Sequence, residues 1–228
     1  MPRESLDRQI HQLQDEILLL GSMVEQANIN AMDALKRRDT RSARRVMAGD
    51  VKINEKRFAI ENAIIIVLAT QQPMAHDLRT LAAFLEVSTE LERMGDYAKG
   101  IGKVVVLLGE SDIPIPMREL DQMIEISISM LHRALGAFIA EDAGLASQIP
   151  LEDVLVDNLY NKVYRQIVTS MIANPEIIDH ANLLLWVVHN LERLADRVTN
   201  ICERTVFAAT GELLEFEHDE QPDDESDL

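Results

Sequence analysis

The sequence is poor in the residues that disulfides, β-turns and nucleic-acid binding require. Of its 228 residues one is cysteine, nine are glycine, seven are proline and 4% are aromatic. A single cysteine, Cys202, excludes an intrachain disulfide, and so few turn formers and aromatics disfavour an all-β fold. Lys plus Arg number 22 against 39 Asp plus Glu, a net charge of −17, so the basic surface that a phosphate backbone demands is missing.

Long hydrophobic runs are also missing. The longest runs from Ala63 to Ala69, whereas a membrane-spanning helix needs roughly 20 apolar residues. The opening residues Met-Pro-Arg-Glu-Ser lack the apolar segment of a signal peptide. With the lone cysteine, which indicates a reducing compartment, these features predict a soluble cytoplasmic protein.

Helical periodicity is the dominant pattern that remains. Hydrophobic residues make up 47% of the chain, enough for a sizeable core, and they recur at alternating steps of three and four, as on the buried stripe of a helix. The pattern predicts an all-α fold, with Pro150 either kinking the fifth helix or delaying its start. The predicted helices are 4–38, 40–71, 75–108, 117–140, 143–173 and 176–211.

The chain contains an internal repeat, and the linker Gly109–Pro116 separates its two copies. Leu91-Glu92-Arg93-Met94-Gly95-Asp96 recurs as Leu191-Glu192-Arg193-Leu194-Ala195-Asp196, an offset of 192 − 92 = 100 residues. A second match, at an offset of 103, pairs the segment that begins at Asp39 with the segment that begins at Asp142. The repeat predicts two tandem three-helix bundles, at 1–110 and 111–211. Residues 212–228 hold nine acids and no Lys or Arg, which predicts a disordered acidic tail.

Each repeat carries four polar side chains that are spaced as cation ligands. Residues four apart on a helix lie about 40° apart, on one face. Like charges at that spacing repel and destabilise the helix, whereas a cation bound between carboxylates of two adjacent helices makes their interaction attractive. The first quartet is Asp50, Asn54, Glu92 and Asp96, and the second quartet is Asp153, Asp157, Glu192 and Asp196. Because Glu92 and Asp96 fall outside the apolar stripe, the pattern predicts sites on the flank of the bundle.

Other chemistry has little support. The six histidines form no His-Glu-x-x-His motif, and His189, three residues before Glu192, is interpreted as a helix-packing residue. Cys202 and Trp186 are interpreted as core-edge and core residues rather than as reactive groups. No His, Cys, Lys or Tyr is expected beside the carboxylates as a general base, which argues against an enzyme.

These motifs resemble the PhoU family of phosphate-signalling regulators over about residues 4–211. The most specific parts are Glu90–Asp96 and Leu191–Asp196, the latter continuing to Glu203. Gln72–Arg79 is similar to the family's stretch before the third helix, and Gly49–Asn54 is similar to its second-helix motif.

The resemblance implies a cytoplasmic, homodimeric accessory of the phosphate ABC transporter. It would act on the transporter's ATPase subunit and on a sensor histidine kinase, and so on transcription regulation, restraining the starvation response when phosphate is plentiful. The resemblance also implies multinuclear iron or zinc clusters held by the two quartets. Asn54 is a weaker, neutral ligand than Asp157, and Ala195 stands where Gly95 does in the first repeat.

Three hypotheses are open on sequence alone. The first is a non-enzymatic regulator of phosphate uptake and signalling with surface metal sites. The second is a metal-dependent enzyme in which carboxylate-bound metal activates water. The third is a metal-free helical scaffold in which the acids are a solvated face.

Overall fold

A computed structural model describes residues 2–216, in which every regular element is helical. This confirms the predicted all-α fold, and five of the six predicted helices agree with the structure to within two residues. The helices are α1 Pro2–Arg37, α2 Thr40–Gln71, α3 His76–Leu108, α4 Met117–Ala140, the short α5 Ala143–Ala146, α6 Asp153–Ala173 and α7 Ile178–Thr210. Residues 217–228, most of the predicted tail, lie outside the described part of the chain.

The helices form two three-helix bundles, as the repeat predicted. Helices α1, α2 and α3 pack on one another, α4, α6 and α7 do the same, and α3 packs along α7 to join the bundles. The matched aspartates begin equivalent segments. Asp39 accepts hydrogen bonds from the backbone N–H groups of Arg41 and Ser42, and Asp142 accepts one from Leu145. Both carboxylates therefore cap a helix N-terminus, where backbone donors lack partners within the helix.

The predicted fifth helix is not continuous. Helix α5 ends at Ala146, a 3-10 turn spans Ile149–Glu152, and α6 begins at Asp153. Pro150 lies in the turn, where a missing N–H and a fixed φ are tolerated although they would break an α-helix. Of the two outcomes expected for Pro150, the structure shows the late start.

Helix α4 meets the length and composition of a membrane span. Among the described residues it alone does so, but half of its most apolar window is buried inside the protein. Its apolar stripe includes Leu120, Leu131 and Phe138, all buried. Phe138 packs edge-to-face on Phe84 of α3, with ring centroids 5.5 Å apart. These contacts are those of a core helix in a bundle.

A buried ion-pair network also crosses from one bundle to the other. Glu90 of α3 is 8% exposed. Its carboxylate accepts hydrogen bonds from Arg93 (2.7 Å) on its own helix, and from Arg197 (3.2 Å) and Asn200 (3.1 Å) on α7. Arg197 also donates to the Tyr97 hydroxyl at 3.1 Å. The α3–α7 contact thus depends on a carboxylate that has little access to water.

Two residues expected in the core differ in placement. Cys202 is fully buried, and burial raises the pKa of its thiol to about 12, so it is an inert core residue as expected. Trp186 is 62% exposed, and its interpretation as a core residue is wrong. It lies beside Val187 and Val188, which are both buried, so an apolar run on α7 extends past the buried stripe.

Gly95 sets how closely α2 approaches α3. A Cβ atom at this position would lie 3.1 Å from both Cδ1 and Cγ2 of Ile53. The second repeat has Ala195 in place of Gly95 and the smaller Val156 in place of Ile53, and both are fully buried. Compared with the first repeat, the second has a smaller residue on its second long helix, Val156 for Ile53, and a larger residue on its third, Ala195 for Gly95.

We expect Gly95→Ala to destabilise the protein by about 1 kcal/mol, because overpacking exceeds the gain in helix propensity. Adding Ile53→Val should recover most of that loss, although Ile53→Val alone costs about 1 kcal/mol. Urea unfolding of the four variants of this double-mutant cycle measures the coupling. Strict additivity would contradict the proposed packing.

Candidate metal-binding site

The first quartet is brought together where α2 packs on α3. Asp50 is 4% exposed, and its Oδ2 accepts hydrogen bonds from the Asn54 amide at 3.2 Å and from Lys99 Nζ at 2.7 Å. Lys99 Nζ also lies 3.4 Å from Asp96 Oδ1. Burial raises the pKa of Glu92, helped by the negative charges of Asp96 and Asp50, so the three acids of the quartet share one electrostatic environment.

The second quartet occupies the equivalent place between α6 and α7. Burial raises the pKa of Glu192 to about 7, and the negative charges of Asp196, Asp157 and Asp153 act in the same direction. Asp153 is 6% exposed. Arg193 lies 2.9 Å from Asp196, and its positive charge opposes the rise in the pKa of Glu192. The charges of the three aspartates therefore all act on Glu192.

The quartets are more buried than predicted. Glu92 and Asp96 do lie on the flank, half-buried and exposed respectively. Asp50 and Asp153 on the partner helices are instead buried, because they face α3 and α7 across each helix pair. Each site thus has a buried acid on one side and more accessible acids on the other.

Lys, His and Tyr side chains do lie near the carboxylates of the quartets, and the prediction that none of them serves as a general base stays a prediction. Lys99 contacts Asp50, His189 Nδ1 lies 3.6 Å from Glu192 Oε2, and the charge of Glu192 raises the pKa of Tyr160 in addition to burial. The hydrogen bond to Asp50 raises the pKa of the Lys99 ammonium, so Lys99 stays protonated near neutral pH and does not act as a general base. The His189 ring is half exposed to solvent. The contact of Lys99 with Asp96, three residues earlier, was readable from the sequence, whereas its contact with Asp50 on α2 was not.

The donor atoms fit a cation bound by hard oxygen ligands. Buried oxygens of three quartet residues have no hydrogen-bond partner within the described residues: Asp50 Oδ1, Asn54 Oδ1 and Glu192 Oε2. A buried carboxylate or amide oxygen without a donor is costly, and a metal ion would satisfy it. Within residues 2–216 no three His, Cys, Asp or Glu side chains already surround one point, so binding would require side chains to reorient.

Comparison with known proteins matches both halves of the chain to one family. A model of the PhoU domain matches residues 17–105 and again residues 120–205. The chain belongs to the PhoU family. The two matches coincide with the two bundles, each of which contributes one quartet.

Relatives extend the match to PhoU proteins of nearly full length. The chain is 35% identical over 214 residues to the phosphate-specific transport system accessory protein PhoU homolog of Streptococcus pneumoniae, covering 94% of this chain and 99% of that protein. It is 35% identical over 215 residues to the homolog of Caulobacter vibrioides, covering 92% of each.

Solved PhoU structures share the fold. The crystal structure of the phosphate transport system regulatory protein PhoU from Streptococcus pneumoniae superposes with a TM-score of 0.86 at 34% identity, covering 92% of this chain and all of that one. PhoU from Pseudomonas aeruginosa gives a TM-score of 0.85 at 29% identity, covering 90% and 99%. PhoU relatives are thus accessory and regulatory proteins of phosphate transport.

Proposed function

We propose that this chain is a non-enzymatic, cytoplasmic regulator of phosphate uptake and phosphate-starvation signalling. Its partners are the ATPase subunit of a phosphate ABC transporter and a sensor histidine kinase, through which it affects transcription. The observation that carries the proposal is the match to phosphate-transport accessory proteins over 94% of the chain, across both repeats. The net charge of −17 favours basic patches on these partners over nucleic acid.

A metal role for the quartets is the second part of the proposal. Bound iron or zinc would supply positive charge that offsets the acids of each quartet. Asp50 and Asn54 on α2 with Glu92 and Asp96 on α3 would hold one site. Asp153 and Asp157 on α6 with Glu192 and Asp196 on α7 would hold the other. Because each site joins two helices, its occupancy would stiffen the helix pair that presents the surface to a partner.

The partner proposal is tested by pull-down of the purified chain with the transporter ATPase and with the cytoplasmic part of the kinase. We expect binding to at least one of them, with an affinity that differs between phosphate-rich and phosphate-free buffer. Light scattering on the same sample tests the proposed homodimer. Absence of binding to both partners in both buffers would refute the regulatory proposal.

The metal proposal is tested by elemental analysis of protein that was purified without chelators. We expect iron or zinc to remain after gel filtration and to fall in the double variant Asp157→Asn with Asp196→Asn. The matched control is Glu55→Gln, which neutralises an exposed acid of α2 outside either quartet. Equal metal content in all three proteins would contradict the assignment.

A further inference from the structure

The two quartets differ in the positive charge that already lies inside them. Lys99 Nζ lies 2.7 Å from the buried Asp50 of α2 and 3.4 Å from Asp96 of α3. It therefore bridges the two helices at the point where ligands from both would converge. The Lys99 side chain is 44% exposed, and a long, flexible ammonium side chain can move from this position into water.

The second repeat has no lysine at the equivalent place. The residue 100 positions after Lys99 is Thr199, which is buried. Arg57, whose charge acts on Glu92 in the first repeat, has Tyr160 as its counterpart at the offset of 103. The second quartet thus lacks the counterparts of both cations.

The arginines of the two motifs are also used differently. Arg93 donates to Glu90 at 2.7 Å and thus serves the contact between the bundles. The residue equivalent to Glu90 is the neutral Asn190, and Arg193 pairs with Asp196 at 2.9 Å. The first site accordingly has three acids with Lys99, Arg57 and, less strongly, Arg93, whereas the second site has four acids with Arg193.

We infer that Lys99 is a resident counter-cation of the first quartet that competes with metal for Asp50 and Asp96, so the second quartet binds a divalent cation first. The inference rests on the metal role proposed for the quartets. Metal can enter the first site only when the ammonium leaves Asp50 Oδ2 and Asp96 Oδ1. The other carboxylate oxygen, Asp50 Oδ1, is buried and has no hydrogen-bond partner among the described residues, so it is a further oxygen that a metal would satisfy. An ammonium ion and a metal ion cannot share these oxygens without strong repulsion.

The test is equilibrium dialysis of the full chain against Zn²⁺ at pH 7. In the background Asp157→Asn with Asp196→Asn, which disables the second quartet, Lys99→Met should lower the Zn²⁺ dissociation constant of the first quartet by on the order of tenfold. Lys103→Met is the matched control, because it removes the same charge one turn later from an exposed position of α3. Lys99→Arg, which keeps the charge, should resemble the parent.

Metal-free stability gives an independent reading. Without metal, Lys99→Met should melt at a lower temperature than Lys103→Met, because the buried Asp50 loses its counter-ion. Adding Zn²⁺ should remove this difference in melting temperature. If Lys99→Met does not fold, Lys99→Gln takes its place, and the unmodified chain itself should show two unequal sites with the second quartet filling first.

The outcomes separate this inference from the proposed function. If the unmodified chain binds Zn²⁺ through its second quartet but Lys99→Met and Lys103→Met have equal affinities at the first, the counter-cation role is overturned and the metal role stands. If neither quartet binds Zn²⁺ in any variant, both are overturned.

Discussion

Glu90→Ala is expected to lower the free energy of unfolding by about 3 kcal/mol, one of the largest effects of any substitution outside the apolar core. The change removes the carboxylate that Arg93, Arg197 and Asn200 share. Arg197 is 16% exposed and would keep its charge without this partner. Leaving one member of a buried pair uncompensated costs several kcal/mol, far more than an intact pair contributes. Urea unfolding, which leaves ionic strength unchanged, measures the loss.

The matched control is Glu86→Ala, one turn earlier on α3. Glu86 also pairs across the junction of the bundles, with Arg204 of α7 at 3.1 Å, but it is 53% exposed. An exposed pair contributes less than about 1 kcal/mol, because water solvates both charges once they separate. Equal losses in Glu86→Ala and Glu90→Ala would show that the burial of Glu90 does not determine its effect.

Glu192→Gln is expected to stabilise the metal-free protein at pH 8 by about 1 to 2 kcal/mol, after allowance for screening by solvent. The pKa of Glu192 rises from its ordinary value of 4.5 to about 7 because of burial and neighbouring acids. Between pH 4.5 and about pH 7 the folded state therefore binds a proton that the unfolded state has already released. The free energy of unfolding falls as pH rises through this range, since the folded carboxyl must ionise in an unfavourable place.

The pH dependence makes this prediction specific. The advantage of Glu192→Gln should vanish below pH 4.5, where Glu192 is protonated in both states, and it should be complete above pH 7. Thermal unfolding at several pH values, with EDTA present, measures it. Glu55→Gln, on the exposed face of α2, should show no comparable trend. A constant difference across the pH range would contradict the raised pKa of Glu192.

Adding metal should reverse the order of stability. A cation that binds only the folded state at 100 times its dissociation constant stabilises that state by about 2.7 kcal/mol. Glu192→Gln removes a charged ligand, so the unmodified protein should become the more stable of the two in saturating Zn²⁺. If the variant stays more stable in metal, the metal-free scaffold becomes the better account of the acids.

The fold was predictable because its signals are local and repeated. Apolar steps of three and four define the stripes, Asp39 marks a helix start, and the motif at Glu92 recurs at Glu192. The break in the fifth helix was only half predictable, because Pro150 indicates where an α-helix fails but not whether the chain kinks or restarts. The exposure of Trp186 was not predictable, because an apolar run does not show which of its residues the neighbouring helices cover.

The quartets could be proposed from sequence because helical spacing and the repeat place their members on matching faces. Their burial and resident cations depend on contacts between helices. Asp50 and Lys99 are 49 residues apart in the chain, and no pattern of spacing joins them. The different roles of Arg93 and Arg193 likewise follow from a single difference, Glu90 against Asn190, whose consequence appears only when α7 lies against α3.

The break in the predicted fifth helix at Pro150 changes the electrostatic surroundings of Asp153, the buried acid of the second repeat. Asp50 lies well inside α2, whereas the equivalent Asp153 is in the first turn of α6. The peptide dipoles of a helix place a partial positive charge at its amino end, which favours an ionised carboxylate there. A proline that shortens a helix thus also gives Asp153 electrostatic support from the backbone. Unlike an ammonium group, that support occupies none of the space in which a cation would sit.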